Sequence, residues 1–295
     1  HIDSMVRDAI AMGIDPVIAI KVATHSTARH YGLQYIGAVA PGYHADLVVL
    51  NNLKDINVER VYKQGTLVAK DGKMVQEFGI QEQPRLRRSV NIQYLEPEDF
   101  QVKPRGSHMN VIGMIKHQIV TDHLIEEPKI VDGLVVPDID NDITKIAIIE
   151  RHNASEPSSV GFVKGMGIKE GALVSSIAHD SHNIVAVATN DRDLIAAAVQ
   201  IVRMQGGIAI VKDGKVLESL PLPIAGLMSD QPIEYVSEKL QSLKEAALKL
   251  GTTFDEPFMA MAFLSLPVIP KLKITDLGLV DVERFRLIDL FDVPE

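Results

Sequence analysis

The five consecutive residues His179-Asp180-Ser181-His182-Asn183 place two imidazoles, a carboxylate, a hydroxyl and an amide between two apolar runs, 172–178 and 184–188. A strand end or tight turn there displays these groups together. An Asp beside a His can fix its tautomer and raise its basicity. The chemistry on offer is proton transfer, or recognition of a ligand that carries both donors and acceptors. A solvated turn or a buried polar network would use the same residues without any ligand. A metal site would need a third ligand that this spacing does not supply. A second candidate, Glu150-Arg151-His152, follows the apolar run 143–149. Sites in open α/β sheets gather at strand C-terminal ends, although an ion pair that ends a strand would look the same.

Other motifs are weaker. Residues 161–171 hold Gly161, Gly165, Gly167 and Gly171 with Lys164 and Lys169. Such a run can cradle an anion through backbone amides, but it lacks the Gly-Lys-Ser/Thr order of a phosphate loop. A turn packed near another backbone is the simpler reading. His117 and His123 share one face of an expected strand with Asp122 on the other, and read as surface histidines. His25 and His30 read as ordinary helix residues. Met259, Met261 and Phe263 alternate as core strand residues do.

The chain has 295 residues, enough for two domains. Its 46% hydrophobic and 23% charged composition is that of a folded protein. A net charge of −9 argues against a nucleic-acid partner, which would require a basic face. The absence of Trp weakens any base-stacking role. There is no cysteine, so a metal would have to be held by His, Asp or Glu. No apolar run reaches the ~18–20 residues of a membrane span, and the first residues do not read as a signal peptide. The expectation is a cytoplasmic protein.

Apolar residues at helical spacing predict a helix over 2–12. Asp15-Pro16 predicts the cap and first turn of a second helix running to about Tyr31. Two short helices cannot form a core alone, so the chain reads as beginning in the middle of something. Strands are expected at 45–50 and 58–75, with a hairpin at Asp71-Gly72. Residues 77–109 read as a linker. Within it, 104–109 (PRGSHM) matches the remnant of a cleavable tag and is taken as coincidence, with a junction as the alternative. Further strands are expected at 111–120, 129–136, 143–149, 172–178, 183–189 and 207–212, and helices at 191–204 and 232–250. Asp213-Gly214 marks another hairpin whose VKDGKV echoes AKDGKM at 69–74 through shared turn chemistry. The mixture without strict alternation indicates α+β or irregular α/β.

Two sets of residues carry a resemblance. Gly37, Val39, Pro41, Gly42, Ala45, Asp46, Leu47, Val48, Val49 and Leu50 resemble the passage from the last barrel helix into the small β-sandwich of the amidohydrolase superfamily. Pro41-Gly42 suits a tight turn, and Asp46 can bond turn amides. Ser26 stands where the superfamily usually has Asn. In the second half come Ile149-Glu150-Arg151-His152, Gly161-Phe162-Val163-Lys164-Gly165, Ala178 through Asn183, Leu222-Pro223-Ile224-Ala225-Gly226-Leu227-Met228-Ser229, and Phe263 through Pro270. In this order they resemble the C-terminal domain of the bacterial adenine deaminases.

The resemblance implies the tail of a (β/α)8 barrel over 1–36, closing sandwich strands over 37–76, a linker over 77–109 and the C-terminal domain over 110–295. It implies hydrolysis of adenine to hypoxanthine and ammonia at a divalent metal, manganese or iron. The family's metal ligands would precede His1, so a catalytic N-terminal half lies outside the chain, which alone would be inactive. His1 would then follow the last barrel strand. From the two polar clusters, the expected substrate contacts are His179, Asp180, Ser181, His182, Asn183, Glu150 and His152, with no metal ligand here. The expected partners are adenine, the N-terminal half and further copies of the chain. Another amide or cyclic-amidine hydrolase of the superfamily, or a non-catalytic binding or oligomerisation module, are the alternatives.

Overall fold

The computed structural model describes residues 1–75, 86–154 and 158–292. The chain divides into two units, His1–Gln81 and Glu82–Glu295.

In the first unit, α1 (Ile2–Ala11) is followed by α2 (Pro16–Lys21), which starts where Asp15 accepts hydrogen bonds from the amides of Val17 and Ile18 at 3.0 and 3.1 Å. The expected single helix to Tyr31 is broken by a π-helical turn, Val22–Ser26, before α3 (Thr27–His30). Four strands, β1 (Leu47–Leu50), β2 (Val58–Lys63), β3 (Thr66–Lys70) and β4 (Lys73–Met74), form an antiparallel meander in chain order. The expected Asp71-Gly72 turn joins β3 to β4, and Gln64-Gly65 joins β2 to β3 by the same device. Both residues of each pair have positive φ, as hairpin turns matched to strand twist require. Asp46 accepts from the Gln64 amide at 2.8 Å. Val6, Ala19 and Ile56 make a small core, while Ile2, Met5, Val17, Ile18, Val48 and Val49 are exposed. Leu47 and Val68 are half-buried.

The second unit contains β5 (Met109–Met114), β6 (Thr121–Glu126), β7 (Ile130–Val131), β8 (Leu134–Val135), β9 (Ile143–Ile149), β10 (Ser159–Lys164), β11 (Ala172–Ser175), β12 (Ile184–Ala188), α4 (Asp191–Met204), β13 (Gly207–Lys212), β14 (Lys215–Pro221), α5 (Ile233–Lys249), α6 (Pro257–Ala262), β15 (Leu272–Thr275), β16 (Gly278–Asp281) and β17 (Arg286–Ile288). One eight-stranded sheet runs β14-β13-β11-β12-β9-β10-β5-β6, and its neighbours are antiparallel except β10 with β5. A three-stranded sheet, β15-β16-β17, and the β7–β8 hairpin complete it.

The central strands of the large sheet are buried on both faces, so they are largely apolar rather than alternating, with Thr144 and Lys145 of β9 as buried polar exceptions. One face presents Ala147, Ala172, Ala186, Ala188 and Ala209. These small side chains admit α4, which answers with Leu194, Ala197, Ala198 and Ile201. Val90 and Phe100, from the segment expected to act as a linker, are buried in this same layer. The other face carries Ile146, Ile148, Leu173, Val185, Val187, Ile208 and Ile210, against Leu243 and Ala247 of α5 and Phe258 and Met261 of α6. Each large side chain so enclosed is worth about 1.5–3 kcal/mol.

Several expectations change. The strand foreseen at 111–120 stops at Met114 and resumes at Thr121 after a turn in which His117 has φ +62°. His117 and His123 therefore do not share a strand face, and His123 Nε2 lies 2.7 Å from Asn110 Oδ1. Met259 and Met261 belong to helix α6, whose first position is Pro257. The 104–109 segment is built into the fold, with Met109 buried at the start of β5 and Arg105 paired with Asp289 at 2.8 Å.

Candidate functional site

β9 and β12 are antiparallel neighbours with Ile149 opposite Ile184. The end of β9 and the beginning of β12 thus lie side by side, and residues 150–152 meet 179–183. The two polar segments expected to hold the site are brought together by this register.

Arg151 is the hub. It is 1% exposed, two residues past the end of a fully buried strand. Its Nε donates to the His182 carbonyl, Nη1 to the Ser89 carbonyl at 3.0 Å and Nη2 to the Ala225 carbonyl at 3.0 Å. Its amide donates to Asn183 Oδ1 at 3.4 Å. Burial pulls its pKa down, while the Glu150 carboxylate opposes the shift. Glu150 itself is buried and accepts from the amides of His152, at 2.5 Å, and Asn153, at 3.1 Å. His152 is exposed, with Nε2 2.8 Å from the Ser181 carbonyl oxygen.

The 179–183 turn starts with a cis peptide between His179 and Asp180. The His179 amide donates to the Ala262 carbonyl at 3.0 Å, and its ring lies 4.9 Å from the Phe263 ring and 5.5 Å from that of His182. Asp180 and Ser181 are exposed and Asn183 is buried. His182 takes the left-handed region, φ +52°, with its amide on the Ala178 carbonyl at 2.6 Å. Its Nδ1 is buried and has no hydrogen-bond partner among the described residues. Burial depresses the His182 pKa, and the neighbouring His179 and Arg151 act in the same direction. The imidazole is therefore neutral at neutral pH, and its polar edge can exchange a hydrogen bond with a ligand.

All seven expected residues lie in this one place. Reading the sequence missed Arg151 as an organising group, together with Ser89, Ala225 and Phe263. Gly226 belongs with them: a Cβ there would fall 2.8 Å from Arg151 Nη1, at a φ of +71°. The glycine run 161–171 does not form an anion cradle. Gly161 and Lys164 sit in β10, Lys164 pairs with Glu126 at 2.7 Å, and the Gly167 amide is given to Asp142 at 2.8 Å. Among the described residues no three His, Asp or Glu side chains converge as a metal site. The divalent metal implied by the amidohydrolase family thus has no fitting ligand set among them. No described helix is long and apolar enough to cross a membrane.

Residues 118–286 match the family described as adenine deaminase C-terminal domain, and residues 1–68 match the amidohydrolase family. The chain belongs to the adenine deaminase C-terminal domain family. It is 45% identical over 293 residues to the adenine deaminase of Thermosipho melanesiensis, spanning 99% of this chain and 50% of that protein. It is 43% identical over 287 residues to that of Dehalococcoides mccartyi, spanning 97% and 50%. The adenine deaminase of Brucella anthropi is 42% identical over 292 residues, spanning 98% and 51%. The chain therefore spans about half the length of the curated relatives it matches. Within this family domain, the segments at 150–152, 178–183, 222–229 and 263–270 meet around Arg151 and His179.

Proposed function

We propose that this chain is the C-terminal part of an adenine deaminase, and that in the whole protein the 179–183 turn closes over adenine. The observation that carries this reading is His182, a neutral, half-buried imidazole with an unpartnered Nδ1 beside a second imidazole. A buried polar atom without a partner is costly, and a purine edge offers both donors and acceptors to relieve it. His179, Asp180, Ser181 and Asn183 would shape the turn around the base, with Glu150 and His152 bracing it. These side chains would bind and orient the purine and exclude water, which strengthens every polar contact inside.

The divalent metal, manganese or iron, would be held by residues outside this chain. The first unit would supply the end of a barrel and the closing strands of a sandwich. Its exposed apolar residues, Ile2, Met5, Val17, Val48 and Val49, would be covered by the rest of the protein. Purified chain 1–295 alone would not release ammonia from adenine. The setting would be cytoplasmic, and the whole protein a homo-oligomer in purine salvage.

The test is His182→Asn in the full-length protein, since Asn tolerates positive φ better than Ala. If the turn contacts the reacting purine, kcat and kcat/KM fall together. An unchanged turnover per folded molecule, with only a lower melting temperature, would make the turn structural.

A further inference from the structure

Arg151 draws together backbone from three segments distant in sequence. Its carbonyl partners are Ser89, His182 and Ala225, each on a different nitrogen. Only a planar guanidinium offers donors in so wide a fixed fork. An exposed Arg would exchange such bonds freely with water. This one is 1% exposed, so its bonds are not in competition with solvent. The contact with His182 is made to the carbonyl of the very residue that has φ +52°. The guanidinium thereby holds the backbone on the C-terminal side of the imidazole, while the amide on Ala178 holds the N-terminal side. Gly226 supports the same placement from behind, because any Cβ there would push Nη1 away.

We infer that Arg151 is a positioning residue: its three-carbonyl fork fixes the left-handed conformation of His182 and so sets where that imidazole points. The inference rests on the proposed role of the turn in adenine deamination for its kinetic consequence, but not for its structural one. Arg151 touches no reacting atom in this scheme. It acts through His182, and loss of the fork releases a turn that otherwise has one arrangement.

Two variants test it in the full-length protein. Arg151→Lys keeps the charge but offers a single point of donation. Gly226→Ala keeps the guanidinium and displaces it. Carbethoxylation of His182, followed by mass spectrometry of the peptide that contains it, reads the imidazole's exposure without reference to activity. Both variants are expected to raise that rate several-fold, because the buried Nδ1 becomes accessible. Kinetics provide the second reading. Each variant should lower kcat for adenine by roughly tenfold or more, the scale of a misplaced group, and should add little to the loss already caused by His182→Asn in the double variant. An unchanged His182 modification rate in folded protein would overturn the inference, as would fully additive losses with His182→Asn. If His182→Asn alone leaves turnover intact, the proposed role of the turn fails, while the modification rates still decide whether Arg151 sets the imidazole. Should Arg151→Lys fail to fold, Gly226→Ala carries both readings.

Discussion

Lys273 is a buried charge in the second unit without a carboxylate partner among the described residues. It sits in β15 with 0% exposure, and its ammonium has one hydrogen-bond partner among the described residues, the Ile119 carbonyl at 2.9 Å. The small space around it is lined by Met114, Ile115, Val120, Phe263 and Leu264. Burial alone lowers its pKa from 10.5 to about 8. A drop of that size represents roughly 3 kcal/mol of stability lost wherever the amine is charged in both states. The sign follows from proton counting. Between pH 8 and 10.5 the unfolded chain keeps its proton and the folded one releases it, so stability rises with pH through that window. Below pH 8 the penalty is present in full. Lys273→Met keeps the linear apolar stem and removes the amine. It also removes the donor to Ile119, at about 1 kcal/mol. The net expectation at pH 7 is a gain of about 2 kcal/mol, or roughly 4–8 °C in Tm for a unit of this size. Urea unfolding of both proteins at pH 7, 8.5 and 10 tests this, because other groups cancel in the difference. The advantage of the variant should shrink steadily above pH 8. A variant no more stable at pH 7, with a flat difference curve up to pH 10, would refute the reasoning.

Three further outcomes are expected. Asp191→Ala leaves the Lys145 ammonium, 1% exposed, with the Phe100 carbonyl at 2.7 Å as its remaining partner among the described residues, and should cost about 1–3 kcal/mol in urea unfolding, with Lys145→Met recovering part of the loss. Gly206→Ala would place a Cβ 2.3 Å from the Gly226 Cα at φ +107°, and should lower stability by at least about 2 kcal/mol in thermal melts. His182 has a depressed pKa, so the unfolded chain takes up its proton first as pH falls through about 6.5, and wild type should lose stability there relative to His182→Asn in melts between pH 7.5 and 5.5.

The elements legible in the sequence are those whose local signals agree with their burial. β9, β12 and β13 are mainly apolar and buried on both faces, and α4 keeps helical spacing behind the Asn190 cap. The break between β5 and β6 is hard to see because only three polar residues, Lys116, His117 and Gln118, separate Ile115 from Ile119 and Val120, and His117 supplies the positive φ that a glycine would have announced. α6 resembles a strand in the sequence because Met259, Met261 and Phe263 alternate, and a helix of six residues is too short for its own period to show against that pattern.

The site divides along the same line. The 179–183 cluster is legible because its polar groups are consecutive and flanked by apolar strands. Its pairing with 150–152 depends only on which strands are neighbours, and the buried character of both runs already favours one sheet. Arg151 is different. Its partners are carbonyls 31, 62 and 74 residues away. A carbonyl has no residue type, so no spacing rule can find it. Ser89, Ala225 and Gly226 are therefore silent in the sequence as parts of a site, although the glycine leaves a trace through its positive φ. What can be read is the position of the arginine itself. A charge placed one residue beyond Glu150 at the end of an apolar run, with no acidic residue on its far side, must either turn to solvent or find neutral acceptors inside. The fold takes the second course, and the acceptors are the backbone of the turn that carries His182.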